Sequence, residues 1–540
     1  MKDSITDVQK NIYNYLKSKA QSLEGPKSQE FTKYQRDQNK LNSRRFYQSN
    51  INELSSSIDD SEVIYLGDFH TFDQSSRNLK RIIDIIKSKK HNFAIGLELV
   101  HIAHQSFIDY FLAGHITELE FLESINYKES WRFPWTYYKT FFQIAKKNNI
   151  PIIALNTEGG LKKRDKKAAK VIANFHKSAP ERKLLILFGE YHIVKDKLPQ
   201  EVSKCLEKNV IQTIIHQNLD DIYWKTSKGS RPLVDKVVKF NKREYILLTS
   251  APWLKYESQI YWYEHLSEDP EFDIHEYVIE NGALNFSENV PENFHFLTEH
   301  INKTLKLKIT TSQLEEFTLY DHIRLDQVQK SFKKANHSRV KNFYISLVKR
   351  GRSFKLYGDT KYFCPNYSIN RLSYLAGIHC YVARKGDKTI ERYLDQNNRV
   401  EVFLYYFEQC LMAYFCSKLI NPYRKCDMYL DYKKHIRAKK LKKIKKTLYR
   451  TGLSILDNEE IDLEKQIKGI RLLGIYNLAR MLGHMIGDIF FDTLFLHDES
   501  SFQELLKKIV NEDVSEIKFR QIVSEIAYKN DYQLTSKRVF

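Results

Sequence analysis

Two stretches of this chain end in the same way. Val63–His70 is Val-Ile-Tyr-Leu-Gly-Asp-Phe-His, and Leu184–His192 is Leu-Leu-Ile-Leu-Phe-Gly-Glu-Tyr-His. Each is an apolar run closed by Gly, an acid, an aromatic residue and His. A short apolar run stopped by Gly reads as a strand buried on both faces of a parallel sheet. Glycine lets the backbone turn sharply at the strand end. In an open α/β sheet, ligands bind beyond the carboxyl ends of the strands. Neighbouring strands with this ending would gather Asp68, His70, Glu190 and His192 around one crevice.

The pattern around these stretches alternates strand and helix. Residues 1–50 are read as helical, with Ile5, Val8, Ile12, Tyr13 and Leu16 at helical spacing and a break at Gly25-Pro26. The polar segment 27–60 is read as a loose helix and loop. After the first strand come a helix over 75–90 and a strand at Phe93–Leu99 carrying Glu98. One or two helices follow over 102–124, then strands at Ile150–Leu155, Lys183–Phe188, Val210–His216 and Tyr245–Thr249. This order predicts a mostly parallel central sheet flanked by helices. Acidic and Pro residues near 268 mark a boundary. Beyond it, long helices are expected at Arg399–Lys418, Asp431–Leu448 and Leu463–Leu496, with a short hairpin at Phe354–Tyr357. The expected domains are a helical extension over 1–54, an α/β domain over 55–268 and a mainly α-helical domain over 269–540.

Of the 540 residues, 42% are hydrophobic, which supports packed cores and excludes global disorder. The net charge of +19 suits an anionic partner or a Lys-rich solvated surface. Cys205, Cys364, Cys380, Cys410, Cys416 and Cys426 form no Cys-x-x-Cys pair and match no zinc module, so free thiols are expected. The first residues have no apolar core of a secretory or lipoprotein signal. Val402–Ile420 contains Glu408 and Lys418, which favours a buried helix over a membrane span. A cytoplasmic protein with no transmembrane segment is the expectation.

The two Gly-x-x-His endings carry the strongest chemical signal, joined by Glu98 at a third strand end. Two imidazoles and a carboxylate can hold a divalent metal and leave a position open for water. His70, Glu98 and His192 would then hydrolyse an ester, amide or peptide bond, with Asp68 or Glu190 as general base. The trio can also act without metal, His as base and Glu as its orienter. The plainer alternative is that each His caps a strand. Arg164-Asp165, at a helix start, can reach the crevice and grip an anionic group. Asn156 can bond a ligand or cap the next helix. The aromatic segment Trp131–Phe142, including Trp135, can wall an apolar pocket or fill a core.

Residues of about 60–265 resemble the ChaN-like haem-binding uptake family, within the Tiki/erythromycin-esterase-like superfamily. The resemblance runs through Gly67-Asp68-Phe69-His70, Gly96-Leu97-Glu98, Gln105, Trp131 to Trp135, Ala154-Leu155-Asn156, Arg164-Asp165, Gly189-Glu190-Tyr191-His192 and Leu198-Pro199. It implies an α/β fold, haem as cofactor or cargo, and a role in iron uptake as an outer-membrane lipoprotein. Other branches are hydrolases or proteases using the two Gly-x-x-His motifs and the Glu. This chain departs from the family in lacking the lipidation signal and in carrying a helical second half. The resemblance assigns no haem ligand. Haem binding, in one chain or between two copies of a homodimer, is the first reading, with Arg164 able to hold a propionate and Trp131 and Trp135 to wall the pocket. Tyr256, Tyr261 and Tyr263, clustered with Trp253 and Trp262, are further candidates to ligate ferric haem. A metal-dependent hydrolase acting on a small molecule or peptide is the alternative.

In the second half, residues 433–450 carry ten Lys or Arg and no acid, with a sparse stripe of Ile436, Leu441, Ile444 and Leu448. Such a helix can lie on anionic lipid or track nucleic-acid phosphates. His484 and Asp488 lie four residues apart on a Gly-rich helix, where His484 bonded to Asp488 within close helix packing is favoured over a site shared with Glu408.

Overall fold

The computed structural model describes residues 2–206, 210–227, 236–265, 290–321, 324–333, 335, 337–358, 360–386, 389–439, 441–458, 462–496 and 499–534. The chain divides into two compact units. Ile12–His275 form one, and Met1–Asn11 with Glu276–Val539 form the other. The cut after His275, like the expected boundary near 268, lies outside the described residues, whereas the cut after Asn11 falls within the helix Lys2–Leu23.

The first unit is built on an eight-stranded sheet: β1 (Tyr47–Ser49), β2 (Val63–Asp68), β3 (Phe93–His101), β4 (Ile152–Asn156), β5 (Lys183–Gly189), β6 (Gln212–Gln217), β7 (Lys236–Asn241) and β8 (Glu244–Leu248). The order is β1-β7-β8-β6-β2-β5-β3-β4. Neighbours from β8 to β4 are parallel, while β7 and β1 add an antiparallel edge. Every residue of β2 is buried, as a strand covered on both faces requires. Alternate side chains feed opposite layers. Ile64, Leu66, Ile95 and Leu97 pack with the helices Asp73–Ser88 and Trp135–Asn148. Val63, Tyr65, Leu184 and Ile186 pack with the helices Leu161–Ser178 and Leu198–Leu206. Gln105 satisfies the β4 backbone, taking Ala154 N–H and donating to Ile152 O, each at 2.8 Å.

The segment 27–60 is more ordered than expected. It forms the helix Gln29–Asn39, capped by Ser28, then strand β1 and the helix Ile51–Asp60, capped by Asn50. Hydrophilic composition hid these elements, because their stability comes from distant partners. Arg44 holds Glu244 in a bidentate pair at 2.6 and 2.7 Å.

In the second unit, Arg399–Ile420 is one helix whose residues 402–420 are all buried. No helix among the described residues is long and apolar enough to cross a membrane. Gly483 and Gly487 let that helix approach closely: a Cβ on either would lie 2.6 Å from the carbonyl oxygen of Phe407 or Leu411. Two expected helices are divided. Asp431–Leu448 falls into Tyr429–Arg437 and Lys443–Asp457, parted by extended backbone at Ala438 and Lys442. Leu463–Leu496 falls into Leu463–Ile467 and Leu472–Leu496, parted at Gly469, whose φ is +76°. Phe354–Lys355 and Lys361–Phe363 form the short hairpin. On the basic segment, Ile436, Leu441 and Leu448 are half-buried and Ile444 is exposed. His484 does not bond Asp488. It meets the Tyr374 hydroxyl at 3.0 Å, while Asp488 pairs with Lys418 at 3.1 Å.

Candidate functional site

Strands β2 and β5 pair in register, with Asp68 opposite Gly189, so the two Gly-x-x-His endings stand side by side. His70 Nδ1 lies 2.9 Å from Asp68 Oδ2, and the same oxygen accepts the Tyr138 hydroxyl at 3.0 Å. The imidazole packs against Trp131 and Phe133, with ring centroids 4.7 and 4.9 Å away. Burial disfavours its charged form, but Asp68, through charge and hydrogen bond, and then Glu98 outweigh burial and raise its pKa. Nε2 has no hydrogen bond among the described residues, and its nearest acid is Glu98 Oε2 at 3.8 Å.

His192 repeats the arrangement with partners from elsewhere. Its Nδ1 lies 2.5 Å from Asp165 Oδ1, and Asp165 Oδ2 accepts the Tyr34 hydroxyl at 2.7 Å. Glu98 sits between the two histidines. It pairs with Arg164 and accepts Gly189 N–H at 2.6 Å. Burial would raise its pKa, but Arg164 foremost, with His70 and His192, holds it below the usual carboxylate range. Arg164 also donates to Asn156 Oδ1 at 3.2 Å. Glu190 is pushed up by burial, against the opposing charge of Lys255. Lys255 pairs with Asp220 at 2.6 Å.

The glycines at these strand ends serve close approach rather than a turn. Gly67 and Gly189 both lie inside strands and neither has a positive φ. A Cβ at Gly189 would lie 3.2 Å from Glu98 Oε2, 3.3 Å from His70 Nε2 and 3.4 Å from His192 Cδ2. His70, Glu98 and His192 are thus gathered around one backbone position.

A cavity of about 880 Å³ opens over these groups. Asp68, His70, Glu98, Arg164, Glu190 and His192 all line it. Phe133 and Trp262 stack at 4.9 Å on its aromatic side, and Lys17 and Lys27 also line it. Asn156 and Asp165 stand behind it, orienting Arg164 and His192. Trp131 supports His70, but Trp135 lies in the core against Phe121 and Phe142 and does not reach the cavity. Among the described residues, no group of three or more His, Cys, Asp or Glu side chains is arranged to hold a metal ion. Within the trio, Glu98 pairs with Arg164 and accepts Gly189 N–H. Tyr34, Lys255 and Asp220 also belong to the site. They lie outside the motifs, and only folding brings them in.

Residues 54–164 match the family model described as "Haem-binding uptake, Tiki superfamily, ChaN". Among solved structures, the chain is similar to one titled "Cofacial heme binding to ChaN of Campylobacter jejuni". The identity is 16%, and the match covers 37% of this chain and 92% of that one at a TM-score of 0.26. No curated protein matches the chain.

Proposed function

We propose that the α/β unit binds haem in the cavity over the ends of β2, β3 and β5, with His70 Nε2 as the iron ligand. One observation carries this reading: Nδ1 of His70 is held by Asp68, while Nε2 faces a cavity of about 880 Å³ and has no hydrogen bond among the described residues. A carboxylate on the far nitrogen fixes the tautomer and raises ligand basicity, and a single His is a common haem ligand. The surrounding residues fit the group. Phe133 and Trp262 offer apolar faces for a porphyrin, and Arg164, Lys17 and Lys27, paired with Glu98, Asp220 and Glu24, would share their charge with its propionates. Tyr256 and Tyr191 suit iron less well. Burial, then Asp220 for Tyr256 and Glu190 for Tyr191, pushes both phenols upward, away from the phenolate. The match over residues 54–164 to a haem-binding family supports the same reading. Bound haem supplies the iron; the protein's part is to hold it, orient it and shield it.

The test is titration of haem into the purified full-length protein. A saturable Soret shift near one-to-one stoichiometry, lost in His70→Ala, is expected. Absence of any saturable change would rule this reading out.

A second reading rests on the two Asp–His pairs. His70, with its pKa raised and its tautomer held, can act as general acid–base on an ester, amide or peptide bond. Glu98 and His192 would flank the substrate, and a divalent metal would have to draw Glu98 away from Arg164. Turnover in haem-free protein that disappears in His70→Ala would favour this reading over the first.

A further inference from the structure

The basic segment of the helical unit folds into a hairpin of two helices. Tyr429–Arg437 runs into the connection 438–442, and Lys443–Asp457 returns. Ring contacts hold the two together. Tyr449 of the second helix lies 5.0 Å from Tyr432 and 6.2 Å from His435 of the first. One end of the hairpin is anchored. Tyr429 donates its hydroxyl to Asp457 Oδ2 at 2.8 Å, and Gly452, Leu453, Ile455 and Leu456 are buried. Gly452 packs so closely that a Cβ there would stand 2.9 Å from Met481 Cε. The other end buries nothing: no described residue from 433 to 451 is buried.

That open end carries a concentrated charge. The sequence has ten Lys or Arg and no acid between 433 and 450. Arg437, Lys439, Lys442, Lys443 and Lys445 are exposed, and none of them has an ion pair among the described residues. The acids beside the hairpin are engaged elsewhere. Asp427 meets His435 at 3.2 Å, and Asp431 accepts Met428 N–H at 3.0 Å. Ile444 stands among the cations and is 79% exposed, the most exposed large hydrophobic side chain among the described residues.

An exposed apolar side chain alone means little. Flanked by ammonium groups at the unburied end of an anchored hairpin, it points to a partner both anionic and apolar. An anionic bilayer is both: its headgroups attract Lys and Arg, and the layer beneath accepts an apolar side chain. Lysine stems suit that boundary, lying along apolar surface while the ammonium stays in water. Nucleic acid meets only the charge. Single strands are bound on exposed aromatic rings, and Tyr432 and Tyr449 are engaged within the hairpin. Eight of the ten cations are Lys, whereas bidentate recognition of phosphate favours Arg. We propose that this end of the hairpin docks on the surface of an anionic lipid bilayer. Arg437, Lys439, Lys442, Lys443 and Lys445 would meet the headgroups, with Ile444 reaching below them. The surface belongs to the helical unit alone and does not rest on the haem reading.

The experiment uses the full chain and two sets of vesicles, phosphatidylcholine alone and phosphatidylcholine with phosphatidylglycerol in equal parts. Co-sedimentation measures the bound fraction. Saturable binding to the anionic vesicles only, weakened by salt, is expected. The triple variant Lys442→Gln, Lys443→Gln, Lys445→Gln should bind roughly 100-fold more weakly, at about fivefold per cation. Ile444→Ser should bind roughly tenfold more weakly with no change of charge, and Ile444→Phe should bind at least as well as the unaltered chain. All these side chains are exposed, so the variants should keep the Tm of the unaltered chain. No binding to the anionic vesicles would overturn the proposal. Unchanged binding in Ile444→Ser would also overturn it, since charge alone would then suffice. Unchanged binding in the lysine variant would place the contact on another basic face. Displacement of the vesicles by polyuridylate at matched phosphate concentration would mark a nucleic-acid surface instead.

Discussion

Asp68 and His70 are two residues apart, and their side chains meet at 2.9 Å, Oδ2 to Nδ1. Phe69 between them turns to Lys255, whose ammonium lies 5.5 Å from its ring centroid. The pair therefore forms at the strand end itself, and it leaves Nε2 free to face the cavity. Asp68→Asn keeps an acceptor for Tyr138 but removes the charge behind the imidazole. On the haem reading, affinity should fall by roughly 10- to 100-fold. Haem titration followed at the Soret band checks this, and an unchanged affinity would separate Asp68 from ligand binding.

The raised His70 pKa sets the direction of the pH response. Burial works against the imidazolium, but Asp68 and Glu98 together favour it more. Iron needs the neutral ring, so protons compete with haem up to a higher pH than for an ordinary His. Affinity should rise from mildly acid to mildly alkaline pH. In Asp68→Asn the midpoint of that rise should move to lower pH, because the largest charge favouring the proton is gone. Haem titrations at a series of pH values would show both the slope and the shift.

Much of this arrangement was legible in the sequence, and the reasons are local. The buried parallel strands announce themselves as apolar runs, and the matched endings at His70 and His192 suggest one crevice, but only the pairing of β2 with β5 makes them neighbours. The short edge strand Tyr47–Ser49 and the polar helix Gln29–Asn39 carry no such pattern, since the partners that hold them, such as Val237–Lys239 and Asp165, are far along the chain. Tyr34 reaches Asp165 across 131 positions, and Asp165 reaches His192 across 27. No spacing rule connects such partners. The glycine endings were legible as special positions, but their purpose was not. A turn and a close approach both call for glycine, and only the distances around Gly189 distinguish them.

Arg164 and Glu98 form the charged centre of the site. Glu98 is buried, and Arg164 is the main force keeping it ionised. Arg164→Met would leave that carboxylate unpaired in the interior, at a cost of about 3 kcal/mol. The double variant Arg164→Met with Glu98→Gln should recover part of the loss, because no buried charge remains. Urea unfolding at neutral pH measures both. Equal stabilities of the single and double variants would show that the pair is uncoupled.

Gly189→Ala tests the site with little disturbance of the fold. The added methyl would stand 3.2 to 3.4 Å from Glu98, His70 and His192, so small side-chain shifts accommodate it. The strand backbone tolerates Ala, since φ is not positive there. The methyl would, however, occupy the space in front of His70 Nε2. Stability should change by less than about 1 kcal/mol, while haem affinity should fall clearly. Unfolding and Soret titration on the same preparation separate the two effects.

Glu244 ties the edge of the sheet to Arg44 and predicts the acid response of the α/β unit. Burial would raise its pKa, but the hydrogen bonds of His216 and Arg44 bring it from 4.5 to about 2. A carboxylate depressed in the folded state stabilises above its unfolded pKa, and that contribution is lost as pH falls through the folded value. The loss therefore runs between pH 4.5 and about 2. With Arg44 37% exposed, solvent screening reduces the contribution to about 2 kcal/mol. Glu244→Gln should be less stable than the unaltered chain at neutral pH, and the difference should shrink through that window. Urea midpoints for both proteins along a descending pH series measure it. A gap that stays constant with pH would mean that Glu244 stabilises through its shape and hydrogen bonds rather than its charge.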